Sequence, residues 1–106
     1  MNKICIIYPW FGKLPNYFPL FIKSALNNEK VDFHFFTDNP CVQKYCNKNI
    51  FYHKESLETI KERATKFLNF NCVLNTPYKL CDYKPIYSDL FPITKKYEWW
   101  GFLILI

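Results

Sequence analysis

The chain has 106 residues, of which half are hydrophobic and 21% are aromatic, so its composition excludes a disordered protein and allows one small domain at most. The net charge of +5 comes from lysines scattered along the chain, whereas binding to a nucleic-acid backbone requires a clustered basic face. We therefore do not expect nucleic acid as a partner.

Five cysteines occur without a CxxC pair, at Cys5, Cys41, Cys46, Cys72 and Cys81. We expect reduced thiols in a cytoplasmic protein. A zinc site would require His34 or His53 to join widely spaced cysteines, so no metal site is predicted. The first apolar run does not resemble a signal peptide, and the final segment WWGFLILI is too short to span a bilayer.

The first predicted element is a strand over Lys3–Tyr8, a continuous apolar run that Pro9 is expected to end. Such a run is typical of a strand buried on both faces in a parallel sheet. A helix is predicted next, with Asn16 as its N-cap, because apolar residues then recur at helical spacing. These residues are Phe18, Phe21, Ile22, Ala25 and Leu26.

Two further strands are predicted, over Val31–Phe36 and, shorter, over Asn49–His53. Ser56 is the expected N-cap of a second helix that runs to about Phe67. One side of this helix is apolar, with Leu57, Ile60, Ala64, Phe67 and Leu68.

The last predicted elements are a third helix and a fourth strand. Asp82 is expected to cap the helix, with Pro85 in its first turn, and Trp99–Ile106 is expected to form a buried strand. The order β-α-β-β-α-α-β predicts an α/β fold with a mostly parallel sheet flanked by helices. In such sheets, ligands bind beyond the carboxyl ends of the strands.

Polar groups follow the first two strands at this expected crevice. The loop PWFGK, from Pro9 to Lys13, could place Lys13 and backbone N–H groups near a phosphate, but it contains neither GxGxxG nor GxxxxGK[ST]. From residue types alone, a structural turn around Gly12 is the favoured interpretation. Asp38 could accept hydrogen bonds from a ribose or a base, or it could be an Asx-type turn residue.

Three charged residues, Lys79, Asp82 and Lys84, precede the third predicted helix. In the functional interpretation a lysine faces a diphosphate and Asp82 binds a sugar hydroxyl. In the structural one Asp82 is a helix cap and the lysines are solvated, and spacing alone slightly favours this one. No catalytic residue is predicted, since the serines lack a nucleophile context and neither histidine has an identifiable partner.

Four segments together resemble a family of bacterial glycosyltransferase-like proteins of the GT-A fold, associated with capsule and lipopolysaccharide synthesis. The segments are KICIIYPWFGKLPNYFPLFIKSALNN, VDFHFFTDN, NTPYKLCDYKPIY and YEWWGF. The resemblance extends from Lys3 to Phe102, and its most specific blocks are PWFGKLPNYFPLF and PYKLCDYKP. It implies a Rossmann-like nucleotide-diphospho-sugar transferase fold with an incomplete sheet, and a single domain over residues 1–106 that is the nucleotide-sugar-binding, N-terminal half.

The second block is similar to the Ser-Asp-x-x-Arg segment of related sugar transferases, with Cys81 and Asp82 at the Ser-Asp positions. The resemblance implies that Lys79 and Asp82 line the nucleotide-sugar site. It places Asp38 and the loop from Pro9 to Lys13 toward the nucleotide.

The chain departs from the family at the Asp-x-Asp motif, which holds Mn²⁺ or Mg²⁺ against the donor diphosphate. Ile104 and Ile106 stand at these positions and offer no oxygen ligand, so no cofactor is expected in this chain. Residues 103–106 can be encoded TTG ATT TTG ATA, which contains GAT TTT GAT, the codons of Asp-Phe-Asp. We therefore hypothesise a frameshift in a longer gene, which the downstream genomic sequence can test.

Together these observations predict a truncated glycosyltransferase-like protein that transfers little or no sugar alone and binds a nucleotide sugar weakly or not at all. Whether it is an enzyme is left open. The alternative is a non-catalytic binding or interaction module that uses the same crevice or an aromatic edge. Trp99 and Trp100 would then flank an unfinished sheet, which could promote self-association.

Overall fold

The computed structural model describes residues 2–103, apart from the side chains of Pro77, Tyr78 and Cys81. The helices and strands of this part are, in order, β1 (Ile4–Trp10), α1 (Phe18–Asn27), β2 (Val31–Thr37), a first 3₁₀ helix (Pro40–Tyr45), β3 (Ile50–Lys54), α2 (Leu57–Leu68), a second 3₁₀ helix (Pro77–Ile86), α3 (Tyr87–Leu90), a third 3₁₀ helix (Pro92–Lys96) and β4 (Trp99–Phe102). None of the helices in the described part is long and apolar enough to cross a membrane.

The four strands form one parallel sheet in the order β3-β2-β1-β4, which confirms the predicted α/β fold. Ile4 of β1 lies in register with Val31 of β2 on one side and with Trp99 of β4 on the other. The chain thus adds β2 and β3 on one side of β1 and then places β4 on the other side. In open parallel sheets, the point where the strand order reverses is where ligands bind, at the carboxyl ends of the strands.

Helices cover the two faces of the sheet because successive side chains of each strand point to opposite faces. The core between the sheet and α1 is largely aromatic and includes Tyr8, Phe18, Phe33, Phe35 and Ile50. The opposite face packs against α2, α3 and the segments around them. The core formed there includes Cys5, Ile7, Phe36, Ile60, Ala64, Leu80, Tyr87 and Phe91.

The predicted N-cap of α1 is wrong. The helix begins at Phe18, with Tyr17 at the N-cap position and no side-chain cap, and a proline occupies its first turn. At the other end, Asn49 from outside the helix adds a second donor to carbonyl groups that also accept from the backbone. Its Nδ2 donates to the oxygens of Ala25 and Asn28 at 2.9 and 3.0 Å, and these oxygens also accept from the N–H groups of Asn28 and Val31.

The predicted N-cap of α2 is confirmed. Ser56 Oγ accepts a hydrogen bond from the Thr59 backbone N–H at 3.1 Å. The helix ends at Leu68, one residue beyond the predicted end, and Asn69 follows in the left-handed conformation with φ 59°. Asn tolerates this conformation better than most residues, so a helix end without glycine is accommodated.

The prediction that Asp82 caps a helix is wrong. Asp82 lies inside the second 3₁₀ helix, and the short helix α3 begins only at Tyr87, with Ile86 at its N-cap position. Pro85 has no N–H to donate, and it disfavours the α conformation of the residue before it. A continuous α-helix from Asp82 is therefore not formed, and a 3₁₀ segment takes its place.

The prediction that the fourth strand is buried is also wrong for its described residues. Trp99 is 69% exposed, and Trp100 and Phe102 are exposed as well. The reason is topological, because β4 pairs only with β1 and forms the edge of the sheet. Residues 104–106, which the prediction included in this strand, lie outside the described part of the chain.

Candidate functional site

Pro9 does not end β1, as the sequence had predicted, but lies within it opposite Phe36 of β2. The Leu103 N–H donates to the Ile7 carbonyl oxygen at 2.9 Å, so the peptide groups of Ile7 face β4. Peptide groups alternate in direction along a strand, and Pro9 therefore also faces β4, where it has no N–H to donate. The hydrogen-bond ladder between β1 and β4 therefore lacks the bond that an N–H at position 9 would donate, at the carboxyl end of both strands.

The loop after β1 is fixed by hydrogen bonds at the same edge of the sheet. Gly12 has φ 103°, and its N–H donates to Asp38 Oδ1 at 2.9 Å. Asn39 Nδ2 donates to the Gly12 carbonyl oxygen at 3.0 Å, and Trp10 Nε1 donates to the Lys13 carbonyl oxygen at 2.9 Å. These contacts connect the loop to the residues that follow β2, so its backbone is held in one conformation.

Asp38 therefore has a definite structural role. Its Oδ1 accepts from the loop after β1, and within the described part of the chain no partner is recorded for Oδ2. The neighbouring Asn39 forms the Asx-type contact instead, because its Oδ1 accepts from the Cys41 N–H at 2.9 Å. Asp38 is exposed, which leaves Oδ2 accessible to a ligand.

Lys84 lies at the carboxyl end of β4. Its Nζ is 5.3 Å from the ring centroid of Phe102, the last residue of that strand, and the Tyr87 ring is 5.4 Å from the Phe102 ring. Since β1 and β4 are neighbours, Lys84 and the loop that carries Lys13 lie at the same edge of the sheet. The structure thus brings Pro9, Gly12, Lys13, Asp38 and Lys84 to the carboxyl ends of the strands.

Lys79 and Asp82 form an exposed ion pair with 2.6 Å between Nζ and Oδ2. The hydrogen bond that Lys79 donates to Asp82 raises the pKa of Lys79 above its ordinary value. The pair borders a shallow pocket lined also by Leu68, Phe70, Asn71, Val73, Tyr83, Pro85 and Ile86. As far as the lining is described, it includes neither Lys13 nor Asp38. A role of Lys79 and Asp82 in binding a nucleotide sugar stays a prediction, and the Cys81 side chain lies outside the described part.

The described residues contain no group of three or more His, Cys, Asp or Glu side chains that could hold a metal ion. Ile104 and Ile106, at the positions of the expected Asp-x-Asp motif, lie outside these residues. An isoleucine side chain cannot ligate Mn²⁺ or Mg²⁺, so the residues at these positions do not fit the metal.

A second polar constellation crosses the sheet face opposite α1, and we call it the histidine relay. Asp32 and His34 of β2 are only 4% and 3% exposed. Tyr97 donates its O–H to Asp32 Oδ2 at 2.6 Å, and the Tyr97 hydroxyl oxygen lies 2.8 Å from His34 Nε2. His34 Nδ1 in turn lies 2.8 Å from His53 Nε2, and Asn2 Nδ2 donates to Asp32 Oδ1 at 2.8 Å.

The hydrogen positions in the relay follow from its chemistry. An ionised carboxylate only accepts, so the single hydrogen of Tyr97 is committed to Asp32, and the Tyr97 oxygen must accept from His34 Nε2–H. A neutral imidazole carries one hydrogen, so His34 Nδ1 is an acceptor and His53 Nε2–H donates to it. This assignment leaves His53 Nδ1 without a hydrogen.

Burial keeps both imidazoles neutral at pH 7. It lowers the pKa of His34 to about 4, with a further contribution from His53, while Asp32 acts in the opposite direction. Burial also lowers the pKa of His53, against the attraction of Glu55. The pKa of Tyr97 is raised by burial and by its hydrogen bond to Asp32, so the phenol keeps its hydrogen.

The sequence analysis missed the relay, although part of it was detectable. In VDFHFF, the alternation of a strand places Asp32, His34 and Phe36 on one face, and a buried Asp beside a buried His requires hydrogen-bond partners. His53 lies on the same face of the neighbouring strand, where it is in register with Phe36. Tyr97, which is 63 residues from His34 along the chain, carries no such local signal.

Comparison with known proteins identifies one family. The family model described as Family of unknown function (DUF6625) matches residues 6–103. No curated protein and no solved structure matches the chain. The match spans both the candidate site and the histidine relay, so the chemistry of each has to be argued from its geometry.

Proposed function

We propose that this chain, which belongs to the Family of unknown function (DUF6625), binds the nucleoside diphosphate part of a nucleotide sugar at the carboxyl ends of β1 and β4. The parent activity would be that of a glycosyltransferase acting in surface polysaccharide synthesis, as the resemblance of the sequence implies. We further propose a cytoplasmic location, which the free, exposed thiols of Cys41 and Cys46 support.

One observation carries the proposal: the strand order reverses between β1 and β4, and a glycine-containing loop follows β1 at this point. A parallel sheet has its ligand crevice at such a position. The Gly12 loop is held by Asp38 and Asn39, so it is ordered before a ligand arrives. Preorganisation reduces the entropy that binding costs.

The side chains at this edge suit a nucleoside diphosphate. Lys13 and Lys84 carry positive charge that can attract the two phosphates, and no ion pair engages either of them among the described residues. Asp38 Oδ2 can accept a hydrogen bond from a ribose hydroxyl. Gly12 has no side chain, and a Cβ built there meets no atom within 4 Å, so open space adjoins the loop backbone.

Sugar transfer is not expected from these residues. In the parent reaction an acceptor hydroxyl attacks the anomeric carbon while the nucleoside diphosphate departs, and the charge on the departing group has to be stabilised. Ile104 and Ile106 provide no ligand for the metal that would do so. We therefore expect binding without turnover, and release of UDP from a UDP-sugar in the presence of Mn²⁺ would contradict this part of the proposal.

Isothermal titration calorimetry with UDP and UDP-glucose tests the proposal. We expect saturable binding with a Kd on the order of 1 mM at low salt. Lys13→Ala and Lys84→Ala should each weaken it about fivefold, because each removes one positive charge from the site. Lys23→Ala, an exposed lysine on α1, is the matched control and should leave Kd unchanged.

Asp82→Ala should be measured alongside, since the resemblance assigns Asp82 to the same site. A loss of UDP binding in this variant would extend the site to the second 3₁₀ helix. If neither nucleotide binds at millimolar concentration, the alternative function, a non-catalytic interaction module, is favoured. The exposed aromatic residues of β4 are the observation that supports that alternative.

A further inference from the structure

The histidine relay ends at a pocket on the sheet face opposite α1. Besides His53, the pocket is lined by Phe36, Glu55, Arg63, Pro92, Ile93 and Lys96, and we call it the His53 pocket. The ring of His53 stacks on Phe36 with 4.4 Å between centroids and an interplanar angle of 9°. Its Nε2–H is committed to His34, so Nδ1 is the nitrogen that remains for a ligand.

His53 Nδ1 is accessible. It has no hydrogen-bond partner in the described part of the chain. It is also not fully buried, because Tyr8 Oη is the one fully buried side-chain nitrogen or oxygen without a partner in that part. A nitrogen that is neither bonded nor fully buried retains some contact with solvent. In the tautomer that the relay imposes, this nitrogen has a lone pair and accepts hydrogen bonds from O–H groups.

The rest of the pocket offers donors and acceptors beside an apolar wall. Glu55 and Arg63 form a two-point ion pair with N–O distances of 2.7 and 3.2 Å, and Arg63 also donates to the Leu90 carbonyl oxygen. This pairing cancels the charge of Arg63, so Lys96 is the one cation of the described lining that is not matched by a carboxylate there. A multiply charged anion is therefore poorly matched.

We propose that the His53 pocket binds a carbohydrate, with His53 Nδ1 accepting the hydrogen of one sugar hydroxyl. Sugar hydroxyls both donate and accept, which matches a pocket where His53 and Glu55 can accept and Lys96 can donate. Pro92 and Ile93 supply the apolar surface that the C–H face of a sugar contacts. The choice of a carbohydrate among hydroxyl-bearing ligands rests on the proposed function, in which a glycan is the acceptor.

Tyr97 is a positioning residue in this arrangement. Because its hydrogen goes to Asp32, it forces His34 into the Nε2–H form, and His34 in turn keeps the hydrogen of His53 on Nε2. Without the Tyr97 hydroxyl, His34 could carry its hydrogen on Nδ1. His53 would then accept through Nε2 and present Nδ1–H to the pocket, which changes an acceptor into a donor.

The groups around His53 determine how binding depends on pH. Glu55, Arg63 and Lys96 border its ring, and His34, Tyr97 and Asp32 continue from its Nε2. A first added proton goes to His53 Nδ1, since this leaves every bond of the relay intact. Protonated Nδ1 can no longer accept, so carbohydrate binding should be lost as the pH falls through the pKa of His53, which lies below its ordinary value.

The test is a nuclear magnetic resonance titration of the whole chain labelled with ¹⁵N. Long-range ¹H–¹⁵N spectra at pH 7.5 report the tautomers directly, and we expect Nε2–H on both histidines. Methyl α-D-glucopyranoside, methyl β-D-galactopyranoside and methyl α-D-mannopyranoside are the probes. At least one should shift the His53 Nδ1 resonance saturably at pH 7.5. As the pH is lowered, the affinity should fall in step with the protonation of His53, which the same spectra measure.

Two variants complete the test. His53→Phe keeps the stacking on Phe36 and should abolish the binding, whereas Tyr97→Phe should change the His53 tautomer and weaken binding severalfold. Lys23→Ala, an exposed lysine on α1, is the control and should not affect it. An Nδ1–H tautomer of His53 in the wild type, no glycoside effect on its resonance, or unchanged affinity after the spectra show His53 to be protonated would each overturn the inference, even if a variant fails to fold.

The outcome is separable from that of the proposed function. UDP binding at the Gly12 loop with no glycoside effect at His53 contradicts the carbohydrate pocket alone. Glycoside binding at His53 without UDP binding contradicts the nucleotide site alone.

Discussion

The side-chain amide of Asn49 illustrates how a single residue completes an element to which it does not belong. It is 3% exposed, and its Nδ2 donates to the carbonyl oxygens of Ala25, Asn28 and Val31 at 2.9, 3.0 and 2.9 Å. With two hydrogens and three acceptors, one hydrogen is shared. These carbonyls mark the end of α1 and the start of β2, so one amide fixes the connection between them.

Asn49→Ala should lower the free energy of unfolding by about 1–2 kcal/mol, because it removes the buried amide's hydrogen bonds to three carbonyl groups, although those of Ala25 and Asn28 keep a backbone donor. Urea denaturation followed by circular dichroism measures the change. Asn75→Ala, at an exposed position, is the control and should change stability by less than about 0.5 kcal/mol. Equal stabilities of the two variants would show that water replaces the Asn49 amide without cost.

Gly12 is the second position where one residue decides the local structure. Its φ of 103° lies where side chains are disfavoured, although a Cβ would meet no atom within 4 Å. Gly12→Ala should therefore cost about 1–2 kcal/mol through backbone strain alone, and it should weaken UDP binding by displacing the loop. The comparison is Gly101→Ala, whose Cβ would approach Ile6 Cδ1 at 3.3 Å and whose cost can be relieved by side-chain movement. If Gly12→Ala matches the wild type in both measurements, the loop is not held as described.

At the scale of elements, the histidine relay connects β2, β3 and the segment before β4. The pKa of His34 is about 4 in the folded chain, against an ordinary value of 6.5. The unfolded chain therefore binds more protons at acidic pH, and the contribution of His34 is fully present above about pH 6.5 and is lost as the pH falls toward 4. The full loss is on the order of 3 kcal/mol.

Unfolding by urea between pH 7.5 and 4 should show this decline. His34→Phe keeps the stacking on Phe51 but has no titrating group, so its stability should depend less steeply on pH over the same range. It should also be less stable than the wild type at pH 7.5, since Tyr97 and His53 lose a partner. The pH slope, not the absolute stability, is the decisive quantity, and identical slopes would contradict a buried neutral His34.

The elements that the sequence predicted correctly are those whose formation depends on residues close together in the chain. β1, β2, β3, α1 and α2 were predicted because their apolar patterns and the Ser56 cap act over a few residues. Asn16 and Asp82 failed as caps because the prolines near them determine where helices begin. The exposure of β4 is a consequence of strand order, which no local pattern encodes.

The candidate site was predicted only in part, for a related reason. The positions of Gly12, Lys13 and Asp38 follow from the ends of β1 and β2, and the sequence placed them together correctly at one edge. The direction in which Lys79 and Lys84 point depends on the second 3₁₀ helix, whose turn differs from the α-helix assumed. A change from 3.6 to 3.0 residues per turn rotates each side chain to a new direction.

At the scale of the whole molecule, β4 is one of the two edge strands of the sheet, and its aromatic side chains are exposed. Trp99 and Leu103 have their N–H groups bonded to β1, so the peptide groups of Trp100 and Phe102 face outward. Exposed edges of this kind pair with other chains. We predict concentration-dependent self-association, which sedimentation velocity can measure.

Trp100→Lys should shift this association to higher protein concentration at least tenfold, because it places a charge on the pairing edge. Leu20→Lys is the control, since Leu20 is 67% exposed on α1, away from the edge, and its replacement should have no effect. Association that both substitutions weaken equally would indicate nonspecific contacts, and a monomer at all concentrations would show that the edge is protected.

The central claim is that a nucleoside diphosphate binds where the strand order reverses. Backbone amide shifts of the ¹⁵N-labelled chain during titration with UDP locate the ligand directly. The account predicts saturable shifts at Gly12, Lys13, Asp38 and Phe102, at the carboxyl ends of β1, β2 and β4. Shifts confined to the pocket of Lys79 and Asp82, or no shifts at millimolar UDP, would contradict it.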